Sequence, residues 1–448
     1  MSFNIPADSP IRHPNFLYGV ATAAFQIEGE IHTDGRVDSI WDTFCREPGR
    51  VLNGDNGEPA CKHYLLWEQD LDLLQELGVD AYRLSIAWPR VMSARGEVNE
   101  LGLAFYERLI DGLIARGIKP VVTLYHWDLP QYLEEKGGWL NRETAYAFAE
   151  YAEVVVARLG DKVTHWATFN EPFCSSFLGY YIGVHAPGYQ EEAWAYTAAH
   201  HLLLAHGLAL PIMRRLAPGS QHGIVLNFTP AYPATDRPED IAAADRSDII
   251  DVHWFICPIL TGEYPAGYFN RHPALKPVIF PGDMELIAQK NDFMGVNFYT
   301  RHVVRDNDGK SEIVPQTGAE HTHIGWEVYP QALTELLVNL HQTYANLPPL
   351  YITENGMAGD DHLTADGEVH DLQRIRYYER HLKAVGDAMA QGVDMRGYFA
   401  WSLMDNFEWA FGYSQRFGLV YVNYETQERV VKRSGELYKA WIAEQRGR

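Results

Sequence analysis

Eight short runs of β-branched, aromatic and aliphatic residues recur along the chain, at 16–25, 79–88, 118–126, 163–170, 223–229, 293–300, 350–354 and 396–402. They are apolar on both faces, which is the pattern of a strand buried on both sides, as in a parallel sheet covered by helices. Between several of these runs the apolar spacing lengthens to that of an amphipathic helix. Trp67, Leu71 and Leu74 form one stripe that stops at Gly78, and Phe148, Ala152, Val155 and Leu159 form another that stops at Gly160. Ile375, Tyr378, Leu382, Val385 and Met389 form a third. A glycine just past the last periodic residue supplies the left-handed conformation in which helices commonly end. Strands alternating with amphipathic helices predict an α/β fold, a single (β/α)8 TIM barrel, which tolerates chains of roughly 400 residues or more through insertions. A doubly wound sheet with a second domain is the alternative. No low-complexity tract or break in composition marks a linker, so residues 1–448 read as one domain.

The barrel makes a demand on the sequence, because reacting groups in this architecture sit at the C-terminal ends of the strands. The apolar runs lead into Gln26, Arg83, His126-Trp127, Asn170-Glu171, Asn297 with Tyr299, Glu354, and Trp401. An ordinary strand end carries Gly, Asp or Ser into a turn, so this set predicts a polar, ring-lined cup at one mouth. Glu171 lies in Thr168-Phe169-Asn170-Glu171-Pro172 and Glu354 in Ile352-Thr353-Glu354-Asn355-Gly356. Each follows an apolar run, where an unpaired carboxylate costs on the order of several kcal/mol. A structural ion pair explains one such glutamate as well as chemistry does; two at one mouth shift the balance. Paired carboxyl groups are the equipment for cleaving a glycosidic bond, one protonating the leaving oxygen while the other attacks or supports the oxocarbenium-like carbon. The neighbours suit a sugar. Asn170, His126, Gln26 and Glu408 can bond hydroxyls, and Trp401, Trp409 and Tyr299 offer flat faces to pyranose C–H groups.

Charge and composition narrow the partners. With 37 Lys+Arg against 59 Asp+Glu the formal net charge is −22, which repels phosphate backbones and anionic lipid surfaces. Nucleic acid and membrane are therefore not expected as partners. Cys45, Cys61, Cys174 and Cys257 show no C-x-x-C spacing and are too sparse to staple the chain, which fits a reducing, cytoplasmic setting. The N-terminus lacks the basic stretch and apolar core of a secretory leader, and no apolar run approaches the ~20 residues needed to span a bilayer. Zinc-protease, nucleophile-elbow, P-loop and dinucleotide-binding strings are absent. The histidine pairs His200-His201 and His321 with His323 read as core or solvated residues, so no metal site is expected. Oligomeric state is not legible.

The chain also resembles the family-one glycoside hydrolases, which include β-glucosidases, β-galactosidases and phospho-β-glycosidases. The resemblance is carried, in order, by Phe16-Leu17-Tyr18-Gly19-Val20-Ala21-Thr22-Ala23-Ala24-Phe25-Gln26-Ile27-Glu28-Gly29, Tyr82-Arg83-Leu84-Ser85-Ile86-Ala87-Trp88-Pro89-Arg90 and Leu124-Tyr125-His126-Trp127-Asp128-Leu129-Pro130. The two glutamate motifs follow, then Trp401-Ser402-Leu403-Met404-Asp405-Asn406-Phe407-Glu408-Trp409 and Phe417-Gly418-Leu419. It implies a single barrel without metal or organic cofactor, acting on a small β-glucoside or oligosaccharide with retention of configuration. By the resemblance, Glu171 is the acid/base and Glu354 the nucleophile, supported by Arg83, Tyr299 and Asn297. Gln26, His126, Asn170, Trp401, Glu408, Trp409 and Phe417 are the implied sugar contacts, with Asn170 at the 2-hydroxyl. Trp127, Cys174 and Trp326 are candidate aglycone residues, equally well read as loop packing, and 179–188 is expected in the entrance wall. Phospho-sugar members typically carry serine at the position of Glu408 and a lysine shortly after it. Glu408, Trp409 and Gln415 stand here instead, and a carboxylate repels a phosphate, so an unphosphorylated glucoside is favoured. Arg416 keeps the phosphate reading open. Galactose and fucose, a transglycosylase, and a sugar-binding barrel without catalysis stand as further readings.

Overall fold

The eight apolar runs become the eight strands of one closed barrel: β1 (Leu17–Ala21), β2 (Ala81–Ser85), β3 (Lys119–Tyr125), β4 (His165–Asn170), β5 (Gln221–Asn227), β6 (Phe293–Asn297), β7 (Leu350–Asn355) and β8 (Met395–Trp401). The computed structural model describes residues 2–448. Each strand pairs in parallel with its neighbours in chain order, and β8 closes on β1 with Gly397 opposite Leu17 and Trp401 opposite Ala21. β2, β4, β6 and β7 are buried along their whole length, as the two-faced apolar runs require. The predicted doubly wound alternative is thereby set aside.

Helices follow the strands and cover the outside. They include α1 (His63–Leu77), α2 (Glu100–Ala115), α3 (Glu143–Leu159), α4 (Glu192–Leu216), α5 (Pro238–Asp248), α6 (Trp254–Thr261), α7 (Gln331–Thr343), α8 (Leu372–Ala390) and α9 (Arg433–Gln445). α1 ends at Gly78, which adopts φ 71° and donates its N–H to Gln75 O, and α3 ends at Gly160, as the spacing predicts. α8 buries Tyr378, Leu382 and Val385 along one stripe. Among the described residues, no helix is long and apolar enough to cross a membrane.

Several boundaries differ from the sequence reading, two of them in segments that carry expected site residues. The first run was expected to stay extended through residue 25, but β1 stops at Ala21 and Ala24–Ile27 forms a helical turn whose first N–H is taken by Ser85 Oγ at 2.7 Å. An unbroken apolar run does not separate a strand from a buried turn of helix. Gln26 consequently stands on that turn rather than at a strand end. The expected loop 179–188 begins inside a π-helical segment, Cys174–Ile182, and only its second half is loop.

Inside the barrel, small residues leave room. Ala21, Ala81, Ala167 and Val225 share the interior with Phe293, Tyr351, Phe399, Trp401 and Phe417. Behind β8 a buried ion cluster fixes the segment that carries Glu408. Asp405, fully enclosed, accepts from Lys432 Nζ at 2.6 Å, from Arg416 Nη1 at 2.7 Å and from the Gly418 N–H at 2.9 Å. Lys432 also reaches Asp361 at 2.5 Å, which Arg374 holds at 2.7 Å. Removing one partner from a buried pair strands the opposite charge. Lys432→Met should therefore lower unfolding free energy by about 3 kcal/mol, measured by denaturant unfolding; an unchanged midpoint would mean that Arg416 and Arg374 neutralise the aspartates unaided.

Candidate active site

Every sequence-predicted site residue stands at the C-terminal mouth of the barrel. Arg83 projects from β2, Asn170 from the end of β4, Asn297 from the end of β6 and Glu354 from β7, while Glu171 and Tyr299 follow β4 and β6 directly. Glu171 and Glu354 are 6% and 4% exposed, and Arg83 is 1% exposed.

The two carboxyl groups have different partners. Glu354 accepts from Arg83 Nη1 at 2.9 Å and from the Tyr299 hydroxyl at 2.6 Å, one bond to each oxygen. Arg83 gives its second arm to Asn170 Oδ1 at 2.7 Å. Glu171 receives no cation: Asn297 Nδ2 donates to its Oε1 at 2.7 Å and the Cys174 thiol to its Oε2 at 3.1 Å. Asn297 stands between the two carboxyl groups: it donates to Glu171 and to Asn170 Oδ1, its own oxygen accepts from Thr353 Oγ1 at 2.6 Å, and its amide also helps to stabilise the charged form of Glu354.

The electrostatics follow. Burial pushes the Glu171 carboxyl up to about 7, with the Glu354 charge adding to it. Burial raises Glu354 as well, but Arg83, Tyr299 and Asn297 oppose that rise by stabilising its charged form. Tyr299 stays protonated, since burial and the Glu354 charge lift its phenol well above the ordinary range. Burial, followed by the Arg83 charge, holds His126 well below its usual value, so the ring is neutral. With Asn170 Nδ2 and His126 Nε2 3.2 Å apart, the amide donates and the ring proton falls on Nδ1, which has no protein partner. Gln26 Oε1 and Glu408 Oε2 are likewise enclosed without a partner. Gln26 itself is seated by donating Nε2 to Phe407 O at 2.8 Å and to Asn406 Oδ1 at 3.0 Å.

A cleft of about 370 Å³ opens above these groups, lined by His126, Trp127, Glu171, Cys174, Asn297, Tyr299, Trp326, Glu354, Trp401, Glu408, Trp409 and Phe417. Its rings interlock. His126 lies nearly parallel to Trp401 and Trp409, with centroids 6.0 and 5.9 Å away, and Trp326 leans on Tyr299 at 5.2 Å. Glu171, Trp127 and Trp409 all adopt left-handed backbone, at φ 46°, 80° and 47°. Non-glycine residues rarely do so, at a cost of about 1–3 kcal/mol each, and such residues concentrate where a side chain must be aimed. Trp127 is pinned by its indole N–H on Asn170 O at 2.9 Å. A larger groove of about 900 Å³, around Arg214, His222 and Lys290, contains none of the predicted site residues.

His185, from the second half of the expected entrance wall, lines the cleft beside Trp127 at 5.1 Å. Phe173, Leu178, Phe228 and Ile324 line the cleft as well, and neither periodicity nor charge singles them out. Asn355 anchors the support layer: it donates to Phe298 O and the Tyr377 hydroxyl, and Tyr377 in turn donates to Tyr299 O at 3.0 Å. His200 is held by Asp283 and Tyr264, and His201 by the Trp139 carbonyl, as core histidines.

The sequence model of glycosyl hydrolase family 1 matches residues 11–447. A β-glucosidase from Agrobacterium sp. is 49% identical over 433 residues, covering 95% of this chain and 94% of that protein. A bifunctional β-D-glucosidase/β-D-fucosidase from Bifidobacterium breve is 46% identical, covering 97% and 98%. Among solved structures, the virulence factor SghA of Agrobacterium tumefaciens in complex with its substrate analog salicin superposes with a TM-score of 0.94 at 48% identity, covering 96% of each chain.

The raised Glu171 carboxyl has a consequence for stability. Its folded value of about 7 exceeds the ordinary 4.5, so between those pH values the unfolded chain gives up the proton while the folded chain keeps it. That contribution is complete below about pH 4.5 and is lost as pH rises toward about 7. Glu171→Gln has no proton to lose. Its melting temperature should gain on wild type between about pH 5 and about pH 8, read by calorimetry; a constant difference would contradict the raised carboxyl.

Proposed function

This chain belongs to glycosyl hydrolase family 1 and is a retaining β-glucosidase, and we propose that Glu354 is its nucleophile and Glu171 its acid/base. The observation that carries the assignment is the asymmetry of partners. Arg83 and Tyr299 favour Glu354 as a carboxylate, whereas Glu171, bonded by an amide and a thiol, retains a proton near neutrality. Glu354 attacks the anomeric carbon while Glu171 protonates the departing oxygen, giving a covalent glucosyl-enzyme. Esterification removes the Glu354 charge. Glu171 then ionises more readily and takes a proton from the water that releases glucose. One residue serves both steps.

The sugar contacts follow from unfilled hydrogen-bonding capacity. Gln26 Oε1, His126 Nδ1 and Glu408 Oε2 each lack a protein partner, and substrate hydroxyls would satisfy them. Asn170 stands between Arg83 and His126 to meet the 2-hydroxyl, and Trp401, Trp409 and Phe417 supply the apolar wall. Trp127, Cys174 and Trp326 face the leaving group. Substrates are terminal β-D-glucosyl residues of small oligosaccharides such as cellobiose, or of aryl and alkyl glucosides. A phosphorylated sugar is disfavoured: Arg416, the residue that left that reading open, is spent on Asp405 at 2.7 Å and lies outside the cleft lining. β-Fucosides form a second reading, supported by the double activity in the name of the Bifidobacterium breve relative. The whole chain acts as one catalytic unit, and its four free cysteines suit the cytoplasm.

In initial-rate assays of nitrophenyl β-glucoside, β-galactoside, β-fucoside and 6-phospho-β-glucoside, without added metal, the glucoside should turn over far faster than the phosphoglucoside. The reverse order would overturn the reading of Glu408. Glu354→Ala should lose several orders of magnitude in turnover, with azide restoring it as an α-glucosyl azide; near-normal activity would remove Glu354 from its role. Glu171→Ala should keep forming the glycosyl-enzyme from substrates with good leaving groups and yield a β-azide. Equal loss on good and poor leaving groups would argue against the acid.

A further inference from the structure

Glu171 is bonded at both oxygens, and the second bond comes from an unusual donor. Pro172 begins a tight turn in which the Cys174 N–H donates to Glu171 O at 2.9 Å, bringing the thiol back over the carboxyl group. Sγ then lies 3.1 Å from Oε2. Asn297 Nδ2 already donates to Oε1, so the transferable proton belongs on Oε2, the oxygen the thiol faces. Cys174 is 6% exposed and, apart from this carboxyl group, its neighbours in the cleft wall are largely apolar, including Phe173 and Leu178.

Resting on the assignment of Glu171 as acid/base, we propose that Cys174 is a positioning residue for that carboxyl: its thiol donates to Oε2 while Glu171 is a carboxylate and releases it when Oε2 carries the proton. The thiol keeps its own hydrogen throughout. In the first step the proton passes from Oε2 to the glycosidic oxygen as the C–O bond breaks, and the newly formed carboxylate accepts the S–H. In the second step Oε2 takes a proton from the attacking water and the S–H bond to it is given up. A weak donor suits this exchange, since a thiol gains little from any one bond and loses little by turning away. Burial and the adjacent carboxylate hold the thiol well above its ordinary range, so it is a donor and not a second base. The other groups facing Glu171 are Glu354, which raises it, Arg83, which lowers it, and Glu408, whose own carboxyl group feels the Glu171 charge.

The test compares Cys174→Val, which fills the space without a donor, with Cys174→Ser, which restores one. The alkaline limb of kcat/KM against pH reports the acid form. It should move up by roughly half a pH unit in the valine variant, because the carboxylate has lost a donor, and return to or below the wild-type position in the serine variant. Hydrolysis of alkyl glucosides, which need protonation, should fall roughly five-fold more than that of dinitrophenyl glucoside in the valine variant. An unmoved limb, or equal loss on both substrates, would overturn the proposal. Glu171→Ala run in parallel separates the two failures. If it shows the leaving-group dependence and Cys174→Val does not, only the thiol's role falls; if neither does, the assignment of Glu171 falls first.

Discussion

One buried guanidinium organises the mouth of this barrel. Arg83, 1% exposed, is the cation that bonds Glu354, and it reaches Asn170 with its other arm. It therefore ties β2 to β7 and β4 across the barrel rather than along its wall. Without it, Glu354 would share an enclosed cleft with Glu171 and Glu408, where burial and the repulsion between like charges would both disfavour its ionised form. A neutral Glu354 is a poor nucleophile. The division of labour between the proposed acid and the proposed nucleophile thus derives from where a single positive charge is spent.

The remaining geometry keeps that charge in place. Asn170 and Asn297 form a relay between the two carboxyl groups, since Asn170 Oδ1 accepts from both Arg83 and Asn297, and Asn297 passes to Glu171. Tyr299 reaches Glu354 from a backbone carbonyl fixed by Tyr377, which Asn355 in turn engages. The oxygens of Glu354, Asn170 and Asn297 are bonded before a substrate arrives, so this part of the site needs little rearrangement. Local cost is visible in the left-handed backbone of Glu171, Trp127 and Trp409, an expense tolerated because side chains around them over-determine their positions.

The barrel and the identity of its main residues were legible in the sequence for a physical reason. Parallel strands covered on both faces must be apolar throughout, and a glutamate or arginine closing such a strand is costly enough to demand a purpose. Arg83, Glu171 and Glu354 stand out on that ground. Gln26 was legible as a residue but not as a position, because Ala23-Ala24-Phe25 continues the apolar run past the point where the chain turns helical. Asn297 was expected beside Glu354; its second engagement, with Glu171, was not legible because side-chain rotation leaves no trace in sequence. Phe228 and Ile324 come from loops whose course depends on tertiary packing, and Cys174 acquires its partner only through the turn after Pro172.

The seam of the barrel lies between its first and last strands, β1 and β8, whose residues are hundreds of positions apart. Gln26 follows one and Phe407 the other, and the hydrogen bond seating Gln26 spans 381 residues of chain. A contact of such long range carries a loop-closure cost that a local contact does not. The proposed sugar contacts Gln26 and Glu408 therefore stand on opposite sides of the seam. A sugar held by both would clasp the seam, and its binding free energy would add to the stability of the closed ring.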